Sequence, residues 1–109
     1  MTEPSAEIPA ASVPEDVWLL DVREDDEWAA GHAPGATHIP LGQLNSRSGE
    51  VPRDETIYVI CRSGARSGRA TAALTGAGWT AINVAGGMQA WARAGRPMTA
   101  DSGADPFVA

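Results

Sequence analysis

The sequence contains no lysine, and all eight of its basic residues are arginines. It has 14 acidic residues, so its formal net charge is -6 at pH 7. Because nucleic acids and anionic membranes attract basic surfaces, this deficit of positive charge argues against both as partners. The first 14 residues include acids, no basic residue and no long apolar run. They therefore predict neither a signal peptide nor a membrane span.

Cysteine is nearly absent as well, since Cys61 is the only one. A single thiol forms no internal disulfide and no cysteine-rich zinc site, and it leaves no second thiol to resolve an oxidised intermediate. Any redox cycle would have to borrow a thiol from a partner. A lone thiol stays reduced in the cytoplasm, which is the predicted location.

The length of 109 residues and the 43% hydrophobic content predict one domain with a single core. Patterns of strands and helices alternate along the chain, which predicts an α/β fold with a mostly parallel sheet. We expect residues 1–6 and 98–109 to be tails around a domain at 7–97. Strands are predicted at 17–22, 57–60 and 79–84, and short strands near Ile8 and at 38–40. Helices are predicted at 23–30, after Cys61 as far as Gly78, and from Met88 to Gly95.

One stretch combines a strand with reactive chemistry. The apolar run Ile57–Ile60 ends at Cys61, a Gly/Ser/Arg segment follows, and a helical pattern of small residues begins at once. A thiol in this position faces successive backbone N–H groups and a helix N-terminus, which stabilise an anion. Arg62 and Arg66 add positive charge. The arrangement predicts a reactive thiolate.

The residues around Cys61 have separate predicted roles. Arg66 is expected to bind an anion, whereas Arg62 is expected to point outward, where it could meet a partner. Ser63 and Gly64 are expected to serve the backbone geometry of the loop. Ser67 is predicted to be the N-cap of the following helix, with a secondary hydrogen bond to the bound anion.

Other side chains have structural predictions. An ion pair between Asp21 and Arg23 is expected to support the active loop from the carboxyl end of its strand. His32, without a second metal ligand nearby, is expected to be a hydrogen-bonded structural group. The helix after Cys61 is expected to face the sheet with small side chains, and Ser46–Asp54 is expected to be a polar loop. The residues on this helix face are Ala70, Ala73, Leu74 and Ala77. The tryptophans predicted to pack in the core are Trp28, Trp79 and Trp91, and Trp18 is predicted to be partly buried.

The chain resembles single-domain rhodaneses, the thiosulfate sulfurtransferase-like family, over about residues 7 to 97. The motifs that carry the resemblance occur in family order: Asp21-Val22-Arg23, Glu27-Trp28, Gly31-His32, Pro34-Gly35-Ala36, Ile39-Pro40, the loop Cys61 to Ser67, and Gly86-Gly87-Met88-Gln89-Ala90-Trp91. The resemblance implies a five-stranded parallel sheet with helices on both faces. It also implies a cysteine that cycles between thiolate and persulfide. The substrate-binding residues implied are Arg62, Ser63, Gly64, Ala65, Arg66 and Ser67, with no metal and no organic cofactor.

Loop length separates two chemistries known for this fold. Related phosphatases and arsenate reductases place five residues between the cysteine and an arginine, whereas here Arg66 comes one residue early and Ser67 stands in its place. A ring of N–H groups one residue tighter suits a sulfane sulfur better than a phosphate. The absence of a second cysteine also argues against an intramolecular arsenate reductase cycle.

The sequence therefore predicts a sulfurtransferase that takes a sulfane sulfur from thiosulfate or a similar small anion onto Cys61. The acceptor would be cyanide, a thiol or a protein. Two alternatives stay open. One is a sulfur-relay or sulfur-sensing module with little thiosulfate turnover, and the other is a cysteine-dependent phosphatase or arsenate reductase.

Overall fold

The computed structural model describes residues 6–109, so the predicted tail at residues 1–6 lies outside it apart from Ala6. The five strands are β1 (Glu7–Pro9), β2 (Trp18–Asp21), β3 (Thr37–His38), β4 (Thr56–Ile60) and β5 (Thr80–Ala85). The four α-helices are α1 (Asp25–Ala30), α2 (Leu44–Arg47), α3 (Ala65–Gly76) and α4 (Gly87–Arg93). Short 3-10 turns occupy Ala10–Ser12, Leu41–Gln43 and Ser48–Glu50.

The five strands form one sheet in the order β1-β5-β4-β2-β3, and every neighbouring pair is parallel. This confirms the predicted α/β class and the five-stranded parallel sheet. Strand β4 lies at the centre, where it pairs with β2 on one side and β5 on the other. In parallel sheets, ligands bind beyond the carboxyl ends of the strands. Cys61 follows directly after the end of β4.

Helices cover both faces of the sheet, as predicted. In β4, Ile57 and Val59 point into a core that includes Leu74 of α3, whereas Ile60 points into a second core with Met88 of α4. A strand buried on both faces has to be apolar at consecutive positions, which explains the continuous run in β4.

The buried face of α3 differs from the predicted stripe, because Ala73 and Ala77 are exposed. The buried positions follow the same helical spacing but start one turn earlier, and they are Ser67, Ala70, Thr71 and Leu74. The prediction was right for Ala70 and Leu74 and wrong for Ala73 and Ala77, because it admitted only apolar residues. Thr71 can be buried, since its hydroxyl donates to the Ser67 carbonyl at 2.7 Å.

The segment predicted as a polar loop is helical in its first half, so that part of the prediction was wrong. Helix α2 runs to Arg47, and a 3-10 turn follows from Ser48 to Glu50. Arg47 and Glu50 form a two-pronged ion pair of 2.8 and 3.0 Å, and the Ser48 hydroxyl donates to the Asn45 carbonyl. These local bonds satisfy a polar segment in a helical conformation.

The histidine and tryptophan predictions have mixed outcomes. His32 is buried, and its Nδ1 lies 2.7 Å from the Trp28 carbonyl oxygen, which confirms a structural role. Trp79 and Trp91 are buried and Trp18 is half-buried, as predicted. The prediction for Trp28 was wrong. Its half-buried ring stacks between His32 and His38 outside the two cores, so aromatic stacking rather than burial holds it.

The segment 98–109, predicted as a tail, lies against α1. Thr99 pairs with His32 as an isolated antiparallel bridge, and the backbone N–H of Phe107 donates to the Ala30 carbonyl at 3.1 Å. The predicted domain boundary at residue 97 stays a prediction. Within the described part of the chain, no helix is both long and apolar enough to cross a membrane.

Candidate active site

The Cys61 side chain is only 1% exposed, and its sulfur is surrounded by hydrogen-bond donors. The Gly64 backbone N–H donates to Sγ at 3.1 Å, and the Ser67 hydroxyl donates to it at 3.2 Å. Both donors come from the segment that connects β4 to α3. One backbone N–H and one hydroxyl of this segment are therefore directed at the sulfur.

These donors decide the ionisation of the thiol. Burial alone would raise the pKa of Cys61, because it removes water from the thiolate. The Ser67 hydroxyl and the backbone N–H groups of Ser67, Gly64 and Ser63 act in the opposite direction and bring the pKa below its ordinary value. Since thiolates are nucleophiles and thiols are not, the arrangement favours reaction at neutral pH.

The predicted N-cap was wrong, since Gly64 caps α3 and Ser67 is the third residue of the helix. Gly64 has a φ of 111°, a left-handed conformation that other L-residues rarely adopt. With this cap, α3 starts at Ala65, four residues after Cys61, and its first turn lies against the sulfur. Ser67 is buried there, which explains why its hydroxyl bonds Sγ instead of capping the helix.

The first turn of α4 holds the loop after β4 through two backbone hydrogen bonds. The Met88 N–H donates to the Cys61 carbonyl at 2.8 Å, and the Gln89 N–H donates to the Arg62 carbonyl at 3.0 Å. Gly87 allows this close approach, since a Cβ there would lie 2.5 Å from the Cys61 carbonyl oxygen. Because α4 donates to these two carbonyls, the loop keeps a fixed backbone conformation in which the Gly64 N–H points to the sulfur.

Arg66 does not stand alone beside the thiol, because Glu27 of α1 binds it through two hydrogen bonds of 2.7 and 2.8 Å. The bond from Arg66 is the main reason that the pKa of Glu27 falls from 4.5 to about 2. The pKa of Arg66 is raised, first by its bond to Glu27 and to a smaller extent by Cys61. The anion-binding role of Arg66 stays a prediction, for a guanidinium whose charge the Glu27 carboxylate balances.

The remaining loop residues face solvent. Arg62, Ser63 and Ala65 are exposed, and Arg62 Nε donates to the Ala109 carbonyl at 2.9 Å. The outward direction predicted for Arg62 is confirmed. Contact of these residues with substrate stays a prediction.

Asp21 and Arg23 form the predicted ion pair, and both side chains are fully buried. Three hydrogen bonds of 2.8 to 3.2 Å join the guanidinium to the carboxylate, and Arg23 Nη2 also donates to the Gly31 carbonyl. Arg23 Nη1 has no partner among residues 6–109. The pair ties the end of β2 to the end of α1, and α1 in turn carries Glu27.

Two residues near the loop had no predicted role in the site. Glu27 was named only in the motif Glu27-Trp28, and its pairing with Arg66 becomes visible only in three dimensions. Asn83 of β5 donates to the Gly64 carbonyl at 3.2 Å, and no sequence signal marks it. In the part of the chain that is described, no three His, Cys, Asp or Glu side chains cluster closely enough to hold a metal ion.

Residues 7–94 match the family model of the rhodanese-like domain. A sulfurtransferase of Allochromatium vinosum is 42% identical over 82% of this chain and 84% of its own length. The putative sulfur carrier protein YrkF of Bacillus subtilis is 43% identical over 67% of this chain, which spans only 40% of that protein. Among solved structures, a rhodanese-related protein of Thermoplasma volcanium is 33% identical with a TM-score of 0.82, over 86% of this chain and 97% of its own.

These similarities include the reactive loop as well as the scaffold, because the matched range contains the whole segment from β4 to α4. The sulfurtransferase relatives and the fold support sulfur transfer as the general chemistry. The chain belongs to the rhodanese-like domain family.

Proposed function

We propose that the protein is a sulfurtransferase that carries a sulfane sulfur as a persulfide on Cys61. The observation that carries this proposal is the position of Sγ at the end of the central strand, where the Gly64 N–H and the Ser67 hydroxyl both donate to it. The sulfurtransferase name of the relative from Allochromatium vinosum supports the same chemistry. The proposed donor is thiosulfate or a similar small anion.

The reaction proceeds in two displacements. The Cys61 thiolate attacks the outer sulfur of thiosulfate, an S–S bond forms to the protein, and the S–S bond of thiosulfate breaks so that sulfite leaves with the electron pair. An acceptor such as cyanide, a thiol or a protein thiolate then attacks the outer sulfur of the persulfide. Cys61 leaves as a thiolate, and the two steps together need no added oxidant or reductant. The protein supplies no metal or cofactor to either step of this scheme.

The hydrogen bonds on Sγ contribute to both displacements. They raise the population of thiolate before the first step, and they stabilise the same thiolate as the leaving group of the second step. Because the donors are fixed by α3 and α4, they need little reorganisation between the steps. The proposed location is the cytoplasm, where the lone thiol would stay reduced.

Incubation with thiosulfate tests the proposal directly. The mass of the wild-type protein should rise by one sulfur atom and sulfite should appear, because Cys61 is the only cysteine that could hold the sulfur. Cys61→Ser is the matched control and should do neither. Equal release of sulfite by both proteins would show that Cys61 is not the nucleophile.

A relay function is the second candidate, and the similarity to a putative sulfur carrier favours it. The reactive sulfur is buried while Arg62 and Ser63 beside it are exposed, a surface suited to a protein acceptor. Slow turnover of thiosulfate with fast loading from polysulfide and fast transfer to a protein thiol would favour the relay. Phosphatase activity lost in Cys61→Ser would instead favour the phosphatase alternative, against the short spacing from Cys61 to Arg66.

A further inference from the structure

Asn83 occupies a buried position directly beneath the active loop. It lies in β5, opposite Val59 of β4 and Glu7 of β1 in the strand register, and it is 4% exposed. Its Nδ2 would lie 3.5 Å from a Cβ placed on Gly68, so the carboxamide sits under the first turn of α3. A buried carboxamide is costly unless it forms hydrogen bonds, and a strand in this core could hold an apolar residue instead.

The two neighbours of Asn83 determine how its amide points. Nδ2 donates to the Gly64 carbonyl at 3.2 Å and to Glu7 Oε2 at 3.0 Å. Both neighbours are acceptors, so the NH₂ group has to face them. Within residues 6–109, Asn83 Oδ1 has no partner, which leaves donation as the contribution of this side chain.

Gly64 needs such a donor because a glycine backbone can adopt many conformations. Its N–H points to Cys61 Sγ, while its carbonyl accepts from Asn83 on one side and from the Gly68 N–H at 3.0 Å on the other. Glycine at positive φ has no side chain to restrict it, so the peptide plane between Ser63 and Gly64, which carries this N–H, depends on anchors on both sides. The Arg62 carbonyl before it is held by the Gln89 N–H, and the Gly64 carbonyl after it is held by Asn83. The bond to Asn83 comes from the sheet and is independent of the helix.

We propose that Asn83 is a positioning residue for the active site, which keeps the Gly64 N–H directed at the Cys61 sulfur by holding the Gly64 carbonyl. This inference deepens the proposed function and rests on it only in taking Cys61 as the reacting group. The charged side chains around this arrangement are Glu7, bonded to Asn83 from β1, and the Arg66–Glu27 pair on the other side of the loop. Asn83→Leu keeps these three side chains and removes the carboxamide, and with it the bonds to the Gly64 carbonyl and to Glu7.

The test measures alkylation of Cys61 by iodoacetamide as a function of pH, which reports the pKa of the thiol without any sulfur donor. Asn83→Leu should raise this pKa by about one unit, the value of one hydrogen bond to a charged group, and slow alkylation about tenfold below the pKa. Asn45→Leu makes the same chemical change at an exposed position of α2 and should leave the profile unchanged. A folded Asn83→Leu protein with the wild-type profile would overturn the proposal.

A measurement on the wild-type protein covers the case in which Asn83→Leu does not fold. The side-chain amide protons of Asn83 should exchange with solvent far more slowly than those of Asn45, the only other asparagine. Equal exchange would also overturn the proposal. Neither experiment uses thiosulfate, so failure here is distinct from failure of the proposed function, which the Cys61→Ser control detects.

Discussion

The ion pair between Glu27 and Arg66 makes a quantitative prediction for the variant Glu27→Gln. Glutamine keeps the size of the side chain and removes its charge. The lowering of the Glu27 pKa from 4.5 to about 2 sets a ceiling of roughly 3 kcal/mol on the contribution of the pair to stability. Side-chain exposures of 14% for Glu27 and 28% for Arg66 mean that solvent screens the pair. We therefore expect Glu27→Gln to be about 1–2 kcal/mol less stable at pH 7.

The pH dependence of this difference follows from the direction of the shift. The folded state lowers the pKa of Glu27, so the unfolded state binds a proton first as the pH falls. The stabilisation is fully present above about pH 5 and is lost as the pH approaches 2. Wild type and Glu27→Gln should therefore converge in stability as the pH decreases through this window.

Urea unfolding followed by fluorescence at pH 7, 4.5 and 3 measures the convergence. Glu55→Gln removes the same charge at an exposed position and serves as the matched control, since it should remain within a few tenths of a kcal/mol of wild type at pH 7. If Glu27→Gln were as stable as Glu55→Gln at pH 7, the pair would contribute nothing. If the deficit of Glu27→Gln were the same at pH 7 and pH 3, its cause would be packing and not charge.

Two further substitutions test the site and its support. Ser67→Ala removes one hydrogen bond to Sγ, so the pKa of Cys61 should rise. Alkylation of Cys61 at pH 6 should then slow about three- to tenfold. An unchanged rate would count against a role for the hydroxyl. Arg23→Met should lower the free energy of unfolding by about 3–5 kcal/mol, because it leaves the Asp21 carboxylate buried without its cation. Thermal unfolding checks this, and a loss below 1 kcal/mol would show that Asp21 finds another partner.

Local sequence patterns were sufficient to predict the α/β class because the central strand β4 is buried on both faces, whereas the number of strands came from the family resemblance. Such strands are apolar at consecutive positions, which made β4 and the cysteine after it visible without any tertiary information. The same reasoning failed for the buried face of α3 and for the helical part of the segment Ser46–Asp54, where polar residues form their hydrogen bonds locally. The Thr71 hydroxyl bonded to the Ser67 carbonyl, and the Arg47–Glu50 pair, are contacts that hydrophobic periodicity does not register.

The site was predictable only as far as the chain is contiguous. Cys61 and its loop follow each other in sequence, so their proximity needed no knowledge of the fold. Glu27 reaches Arg66 from 39 residues away and Asn83 reaches Gly64 from 19 residues away, through the packing of α1 and the register of β5. Single-sequence reasoning offers no measure of such distances, and both residues were therefore missed as parts of the site.

The distribution of charge around Cys61 bears on what the loop can hold. Since Glu27 balances Arg66, the groups that act on the sulfur are chiefly neutral dipoles, the Ser67 hydroxyl and the backbone N–H groups. Neutral donors stabilise a small anion at short range. The outer sulfur of a persulfide carries one charge and lies about 2 Å from Sγ, within reach of the same loop. A phosphate group would need a wider ring of donors, so the short spacing from Cys61 to Arg66 favours sulfur as the group transferred.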